Sequence, residues 1–275
     1  MALPRRQLGS TGESVTILGL GGEGVLRTYG REREAQAVVH AALDAGINYF
    51  ESARAYAGSE AYLGQALEGR RQEIFLTSKS HGRSYQEARG HLDLTLKNLK
   101  TDYLDLWQVH DVRTFEDLEA LAAPGGAFEA FHQARRQGLA RFIGVTGHED
   151  PKVLSRVLEL YPFDMVLLPV NPAEPHYRSF LPLAASAAAR GLGVVGMKVL
   201  CRGMLPELRL APVKDLLAYA LSQPVSLVVI GADDVPQLLE LAAAARDFRP
   251  LPEAGQRDLE ELAAPFARRL MYYKP

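Results

Sequence analysis

The stretch EREAQAVVHAALDAGINYFE (residues 32–51) decides the fold. Ala35, Val38, Val39, Ala42 and Leu43 follow the i, i+3, i+4, i+7, i+8 stripe of an amphipathic helix. Gly46 then supplies the left-handed stop that ends such a helix. After it the period changes. Ile47-Asn48-Tyr49-Phe50 is a short, mostly apolar run that reads as a buried strand, and a carboxylate, Glu51, stands where the run ends.

The same grammar recurs along the chain. Apolar runs lie at 16–22 (TILGLGG), 47–50 (INYF), 73–79 (EIFLTSK), 103–109 (YLDLWQV), 140–146 (ARFIGVT), 163–170 (FDMVLLPV), 193–199 (GVVGMKV) and 226–232 (SLVVIGA). Apolar runs without alternation suit parallel strands covered on both faces. Segments of helical period separate them, at 32–46, 85–99, 150–161, 179–190, 212–223 and 235–246. Segment 113–138 is also helical, broken at Pro124-Gly125-Gly126. Strand followed by helix, repeated in this way, predicts a (β/α)8 TIM barrel. Residues 5–15 (RRQLGSTGESV) read as a β-hairpin before it, with Gly12 in the turn, and residues 255–268 as an extra C-terminal helix. No linker divides the chain, so residues 1–275 are expected to form a single domain. The competing fold is a doubly wound open sheet, which wants a glycine-rich phosphate turn running into an apolar helix. GLGGEG (19–24) offers the glycines, but VLRTYGRERE follows, and the cluster is read as a tight turn at the barrel rim.

The 31 basic and 33 acidic residues leave a net charge of −2, which gives no footing for nucleic acid or a membrane surface. The single cysteine, Cys201, cannot form an internal disulfide, and a cytoplasmic setting is expected. The first residues contain no apolar core of a signal peptide. No His or Cys pair has metal-ligand spacing, so no metal is expected.

Barrel enzymes carry their chemistry at the C-terminal ends of the strands. Those positions here hold Glu51 and Tyr56 after the second strand, Lys79 ending the third and His110 ending the fourth. A lysine at the mouth of a buried strand needs a carboxylate partner or it loses its charge. Glu51 is the obvious one. The cation beside Tyr56 is expected to draw the phenol down from its usual value of about 10. His110 is placed to hydrogen-bond a carbonyl oxygen. Such a site protonates an oxygen while a hydride reaches carbon, and the hydride has to come from a cofactor.

With LGSTGESVTILGLGG, AGINYFESARAYAGSEAYLGQAL, IFLTSK, LKTDYLDLWQVHD, RFIGVTGH, GVVGMKVL and VIGADDVPQLLE, the chain resembles the aldo-keto reductases over nearly its whole length. The resemblance implies an NAD(P)H-dependent oxidoreductase that reduces an aldehyde, ketone or sugar carbonyl, or runs the reverse oxidation. It makes Tyr56 the general acid, Lys79 its tuner and His110 the residue that orients the carbonyl. Glu51 stands where the family carries aspartate, one methylene longer. The Ser-Asn pair that holds the carboxamide in the family is Thr146-Gly147 here, and the family's glutamine is Leu167. Asn171 remains as partner, with His148 as a second candidate. Met197 takes the place of the stacking aromatic, and Lys198 and Arg202 are candidates for the pyrophosphate. Further cofactor contacts are implied at Gly22, Leu200, Gly231 and Gln237.

Residues 228–240 hold no basic side chain for a 2′-phosphate, but do hold Asp233-Asp234. A carboxylate there caps a helix and occupies the anion site a phosphate would want. The expectation is NAD(H) or NADP(H), leaning to NAD(H). A dinucleotide-binding sensor of the same fold with little turnover, and a lyase using Lys79 as a Schiff base, are the alternatives. Rim loops 23–31, 111–127 and 172–178 and the tail, with Leu26, Tyr29, Phe115, Tyr177, Tyr272 and Tyr273, are expected to set the choice of a small-molecule carbonyl substrate. Trp107, three residues before His110, is expected to report on the site.

Overall fold

Side chains alternate across a β-strand, so each barrel strand has one row facing the axis and one facing the helices. The computed structural model, which describes residues 2–275, follows this rule closely. Strands β1 (Arg5–Gln7) and β2 (Ser14–Thr16) form an antiparallel hairpin, with Gly12 at φ +81° in its turn. Strands β3 (Leu18–Gly24), β4 (Tyr49–Glu51), β5 (Phe75–Ser80), β6 (Leu104–Val109), β7 (Ala140–Thr146), β8 (Met165–Pro169), β9 (Gly193–Met197) and β10 (Leu227–Ala232) are parallel and close in that order, β10 pairing back onto β3. This is a (β/α)8 barrel with an N-terminal hairpin.

Around it lie α1 (Glu32–Asp44), α2 (Ser59–Ala66), α3 (Tyr85–Leu99), α4 (Phe115–Ala122), α5 (Ala127–Arg136), α6 (Pro151–Leu160) and α7 (Leu181–Ala189). One turn, α8 (Met204–Glu207), precedes α9 (Val213–Ser222) and α10 (Val235–Arg246). The chain then runs through α11 (Glu253–Ala263) and α12 (Ala267–Leu270) into its last residues. Among the described residues no helix is long and apolar enough to cross a membrane.

Two layers of apolar side chains result. Tyr49, Phe75, Leu106, Met165, Leu167, Val195 and Leu227 fill the barrel axis, joined by Leu8 and Val15 of the hairpin. Their strand neighbours Phe50, Leu76, Trp107, Ile143, Val166, Val194 and Val228 pack outward with helix residues such as Val39, Leu63, Leu92 and Phe131. Each fully buried aliphatic or aromatic side chain contributes about 1.5–3 kcal/mol over its exposed form. Counting by twos along the axial row leads from Tyr49 to Glu51, from Phe75 through Thr77 to Lys79, and from Leu106 through Gln108 to His110. The pairings Glu51↔Thr77 and Lys79↔Gln108 put these residues at neighbouring heights.

The structure departs from expectation at four points. GLGGEG is not a rim turn, because β3 continues through Gly24. Its glycines admit neighbours: a Cβ at Gly19 would lie 2.8 Å from the Tyr49 ring. Trp107 does not face the site; by alternation it points to the helix layer, where its ring stacks on Phe131 at 3.8 Å. Helix α2, inside the stretch carrying Tyr56, was not foreseen, and the extra C-terminal helix ends at Ala263 rather than 268.

Candidate active site

The site is built on the axial ends of β4, β5 and β6. Glu51 is 4% and Lys79 1% exposed, and Lys79 Nζ lies 2.8 Å from Glu51 Oε1. The longer glutamate therefore reaches its lysine. Its second oxygen, Oε2, is buried with no hydrogen-bond partner among the described residues. Lys79 Nζ also donates to the Ser52 carbonyl at 3.0 Å and stands 4.7 Å from the centre of the Tyr56 ring. The rings of Tyr56 and His110 meet edge to face at 5.7 Å. All four sequence-predicted catalytic residues thus converge.

Gly22 makes room for this. A Cβ there would lie 2.6 Å from Ser59 Oγ, 2.8 Å from the Glu51 carbonyl and 3.0 Å from the Tyr56 ring. The loop after β4 is also stitched to β5, Ser52 N donating to Thr77 O and Arg54 N to Lys79 O, both at 2.9 Å.

Burial and charge set the protonation states. Burial pushes the Lys79 ammonium down, but Glu51 and Tyr56 more than offset it, and its pKa lies above the usual lysine value. Tyr56 does not follow the expectation. Burial raises its phenol, Glu51 and Glu23 add to that, and Lys79 and Arg27 only partly reverse it, so its pKa sits above 10. Tyr56 is a protonated acid at neutral pH. His110 is driven well below 6.5 by burial and then by Lys79, and is a neutral imidazole. Its Nδ1 is buried without a partner among the described residues, which leaves Nε2 as the nitrogen for a ligand.

Charged groups ring the mouth, and of these the sequence singled out only Arg202 and His148. Arg27 lies 4.8 Å over the Tyr56 ring and 2.9 Å from Glu23, which also faces Arg202 at 3.6 Å. Glu23 sits in the glycine-rich run, and reading that run as a turn hid it. On the opposite side Asp111, His148 and Glu149 converge, and Arg113 bridges the two carboxylates at 2.6 and 3.2 Å. Spacing along the chain could not reveal this cluster, because β7 lies between its members. Burial pushes the His148 imidazole down to about 4.

The expected cofactor residues divide into two groups. Met197 ends β9 facing the axis and Thr146 ends β7, its hydroxyl accepting from Asp111 N at 2.8 Å. The turn after β9 carries Lys198, Cys201 and Arg202 in left-handed conformations, with Leu200 between them. Burial lowers the Lys198 ammonium, Glu23 opposing it, and its Nζ lies 5.8 and 6.0 Å from the Tyr272 and Tyr273 rings. Gly231 packs on Glu23, where a Cβ would lie 2.6 Å from the backbone carbon.

The second group is engaged elsewhere. Asn171 is fully buried; its Nδ2 donates to Lys198 O and Tyr273 Oη, and its Oδ1 accepts from Ala173 N. It knits two loops to the tail, with both Nδ2 hydrogens used and one acceptor site of Oδ1 filled. Asp234, beside Asp233, caps α10 by accepting from Gln237 N at 2.8 Å, and Gln237 Oε1 accepts from Asp233 N at 3.0 Å.

A parallel barrel with a buried acid–lysine pair, a protonated tyrosine and a neutral histidine at its C-terminal mouth defines a carbonyl oxidoreductase that takes its hydride from a bound cofactor. The comparisons agree. Residues 17–215 match the aldo/keto reductase family. The chain is 28% identical to L-galactose dehydrogenase of Arabidopsis thaliana, over 94% of this chain and 93% of that protein. The fold is similar to the holo form of an aldo-keto reductase from Bacillus halodurans, with a TM-score of 0.79, 24% identity, and 94% and 96% of the two chains covered. It is also similar to an aldo-keto reductase from Klebsiella pneumoniae in complex with NADPH, with a TM-score of 0.78, 21% identity and 96% of each chain covered. The chain belongs to the aldo/keto reductase family, and its activity is NAD(P)H-dependent carbonyl reduction. The cradle fits a dinucleotide: Lys198 and Arg202 offer positive charge on the turn after β9, beside the axial Met197.

Proposed function

We propose that the substrate is a polyhydroxylated, sugar-like carbonyl compound, and that Tyr56 protonates its carbonyl oxygen. The observation that carries the substrate class is the mouth itself. Glu23, Arg27, Asp111 and His148 set a ring of charged and hydrogen-bonding groups about Tyr56 and His110, with the Tyr272 and Tyr273 rings beside Lys198. Hydroxyl groups can pair with such a ring, whereas an alkyl chain would strand it. The relative that acts on L-galactose supports the same class.

In this reading Tyr56 is the acid and Lys79 the cation that steadies the phenolate left behind. Glu51 keeps Lys79 charged and in place. His110, neutral, donates from Nε2 to the carbonyl oxygen and fixes its approach. The nicotinamide cofactor supplies the hydride when bound. Thr146, Met197, Lys198, Leu200, Arg202 and Gly231 would hold it, with Gly22 behind Tyr56. We infer a preference for NADH, because Asp233 and Asp234 put carboxylates at the start of α10, where a 2′-phosphate would sit. The setting is taken to be the cytoplasm.

The test is a reduction panel of hydroxylated aldehydes, from glyceraldehyde to hexoses, against alkyl and aryl aldehydes of equal size, each with NADH and NADPH. Hydroxylated substrates and NADH should give the higher kcat/KM. Faster alkyl aldehydes would refute the substrate class, and a tenfold advantage for NADPH would refute the cofactor preference. Tyr56→Phe should lower kcat by roughly 100- to 10,000-fold, the usual weight of a general acid, while cofactor binding persists.

A further inference from the structure

Glu60 is a carboxylate 2% exposed, behind the site and not in it. An ion this deep is costly unless its oxygens are satisfied, and here both are. Ser78 Oγ donates to Oε1 at 2.9 Å and Thr95 Oγ1 at 2.6 Å. Asn98 Nδ2 donates to Oε2 at 3.2 Å, and Arg54 Nη1 pairs with the same oxygen. Ser78 is the residue before Lys79 in β5, and Arg54 lies two residues before Tyr56 in the loop. Thr95 and Asn98 belong to α3 and fix the carboxylate from the outer layer. One carboxylate therefore holds both the strand that carries the lysine and the loop that carries the tyrosine.

Backbone bonds from Ser52 and Arg54 to β5 hold the start of the loop, and the Glu60 anchor adds side-chain bonds to it. The loop contains Ala53, Ala55, Ala57 and Gly58, which offer no side-chain hydrogen bonds of their own. The Arg54 side chain is 29% exposed, so solvent was open to it, yet it turns inward to Glu60. The Ser52–Ser59 hydroxyl contact, 2.8 Å, closes the same loop from its two ends.

We propose that Glu60, acting through Arg54 and Ser78, is a positioning residue that sets the placement of Tyr56 against Lys79. The inference rests on Tyr56 being the acid. Neither Glu60 nor Arg54 touches the reacting atoms. Their effect is on the geometry of the pair that does, and a displacement of about 1 Å in such a pair can cost on the order of 100-fold in rate.

The test uses the whole protein with the fastest substrate of the panel, and compares Arg54→Met, Arg54→Lys, Glu60→Gln and Tyr56→Phe. Arg54→Met, at a partly exposed position, is the decisive variant if Glu60→Gln does not fold. It should keep the wild-type circular dichroism spectrum and a KM within about threefold, while kcat falls roughly 10- to 100-fold. Its alkaline limb in the pH profile of kcat should be displaced, because the lysine no longer meets the phenol at the same distance. Arg54→Lys should restore most of the rate. A folded Arg54→Met with kcat within about twofold of wild type, or with reduced kcat and an unmoved limb, overturns the proposal. The two readings fail differently. If Tyr56→Phe stays active, the tyrosine assignment falls and the positioning argument with it. If Tyr56→Phe is inactive and Arg54→Met is normal, only the positioning argument falls.

Discussion

Glu51 shows how one methylene is absorbed. Its Oε1 reaches Lys79 at 2.8 Å, while Oε2 remains buried without a partner among the described residues. A fully paired carboxylate would use both oxygens, so the longer side chain keeps the charge and forgoes one acceptor site. Glu51→Gln would leave the Lys79 charge buried without its counter-ion. Breaking a buried pair in this way costs about 3–5 kcal/mol, and urea unfolding at neutral pH should read that loss. Glu51→Asp retains the charge and should stay within about tenfold of wild-type kcat, since a displacement under 1 Å is expected to cost less than 100-fold. If Glu51→Gln is as stable as wild type, the pair does not hold Lys79. The residues of this pair were legible in the sequence because strand alternation and a strand-end charge both point to the mouth. The state of Tyr56 was not, because the balance between burial and the nearby charges exists only in the folded protein.

Most of the barrel was equally legible. Parallel strands are apolar on both faces, so their runs stand out from the helical stripes between them. What escaped was structure made by distant partners. The tail was expected only to line a rim, yet Tyr273 Oη donates to Glu174 Oε1 at 2.7 Å and Lys274 Nζ to Glu174 Oε2 at 2.7 Å, with Lys274 and Glu174 side chains fully buried. Lys274 also donates to the carbonyls of Tyr177 and Arg178. A hundred residues separate the partners, and no local pattern signals the bond. Asn171, read as a cofactor ligand, is drawn into the same network through Tyr273. Lys274→Met alone should destabilise by about 3–5 kcal/mol, as expected when a buried carboxylate loses its cation. The double variant Glu174→Gln/Lys274→Met should recover much of that loss in a thermal or urea melt. At α10, Asp234→Ala removes the cap and should cost about 1 kcal/mol. If the carboxylates there also discriminate between cofactors, the same change should raise the kcat/KM ratio of NADPH to NADH, and an unchanged ratio would leave Asp234 a cap only.

The pH dependence of folding follows from where the histidines lie. His81, His91, His110 and His148 are all held below the ordinary imidazole value of 6.5, with burial the largest cause in each. His148 is pushed down to about 4. Below pH 6.5 the unfolded chain binds protons at these sites that the folded chain refuses, at His148 down to about pH 4. Stability must therefore rise with pH across that window and fall as the solution is acidified through it. Glu149 and Glu174, held above the usual carboxylate range chiefly by burial, work in the opposite sense, but they are two against four. The carboxylates held below their usual value, such as Glu23 and Asp117, lose their contribution only at lower pH. The net charge of −2 adds little self-repulsion at neutrality to mask the effect. The urea midpoint should accordingly be lower at pH 5 than at pH 7.5, with the same slope in denaturant. His148→Asn should reduce the difference, because it removes an imidazole that burial holds down at about 4 in the folded protein. An equal or higher midpoint at pH 5 would mean that these four imidazoles do not outweigh Glu149 and Glu174 in that window.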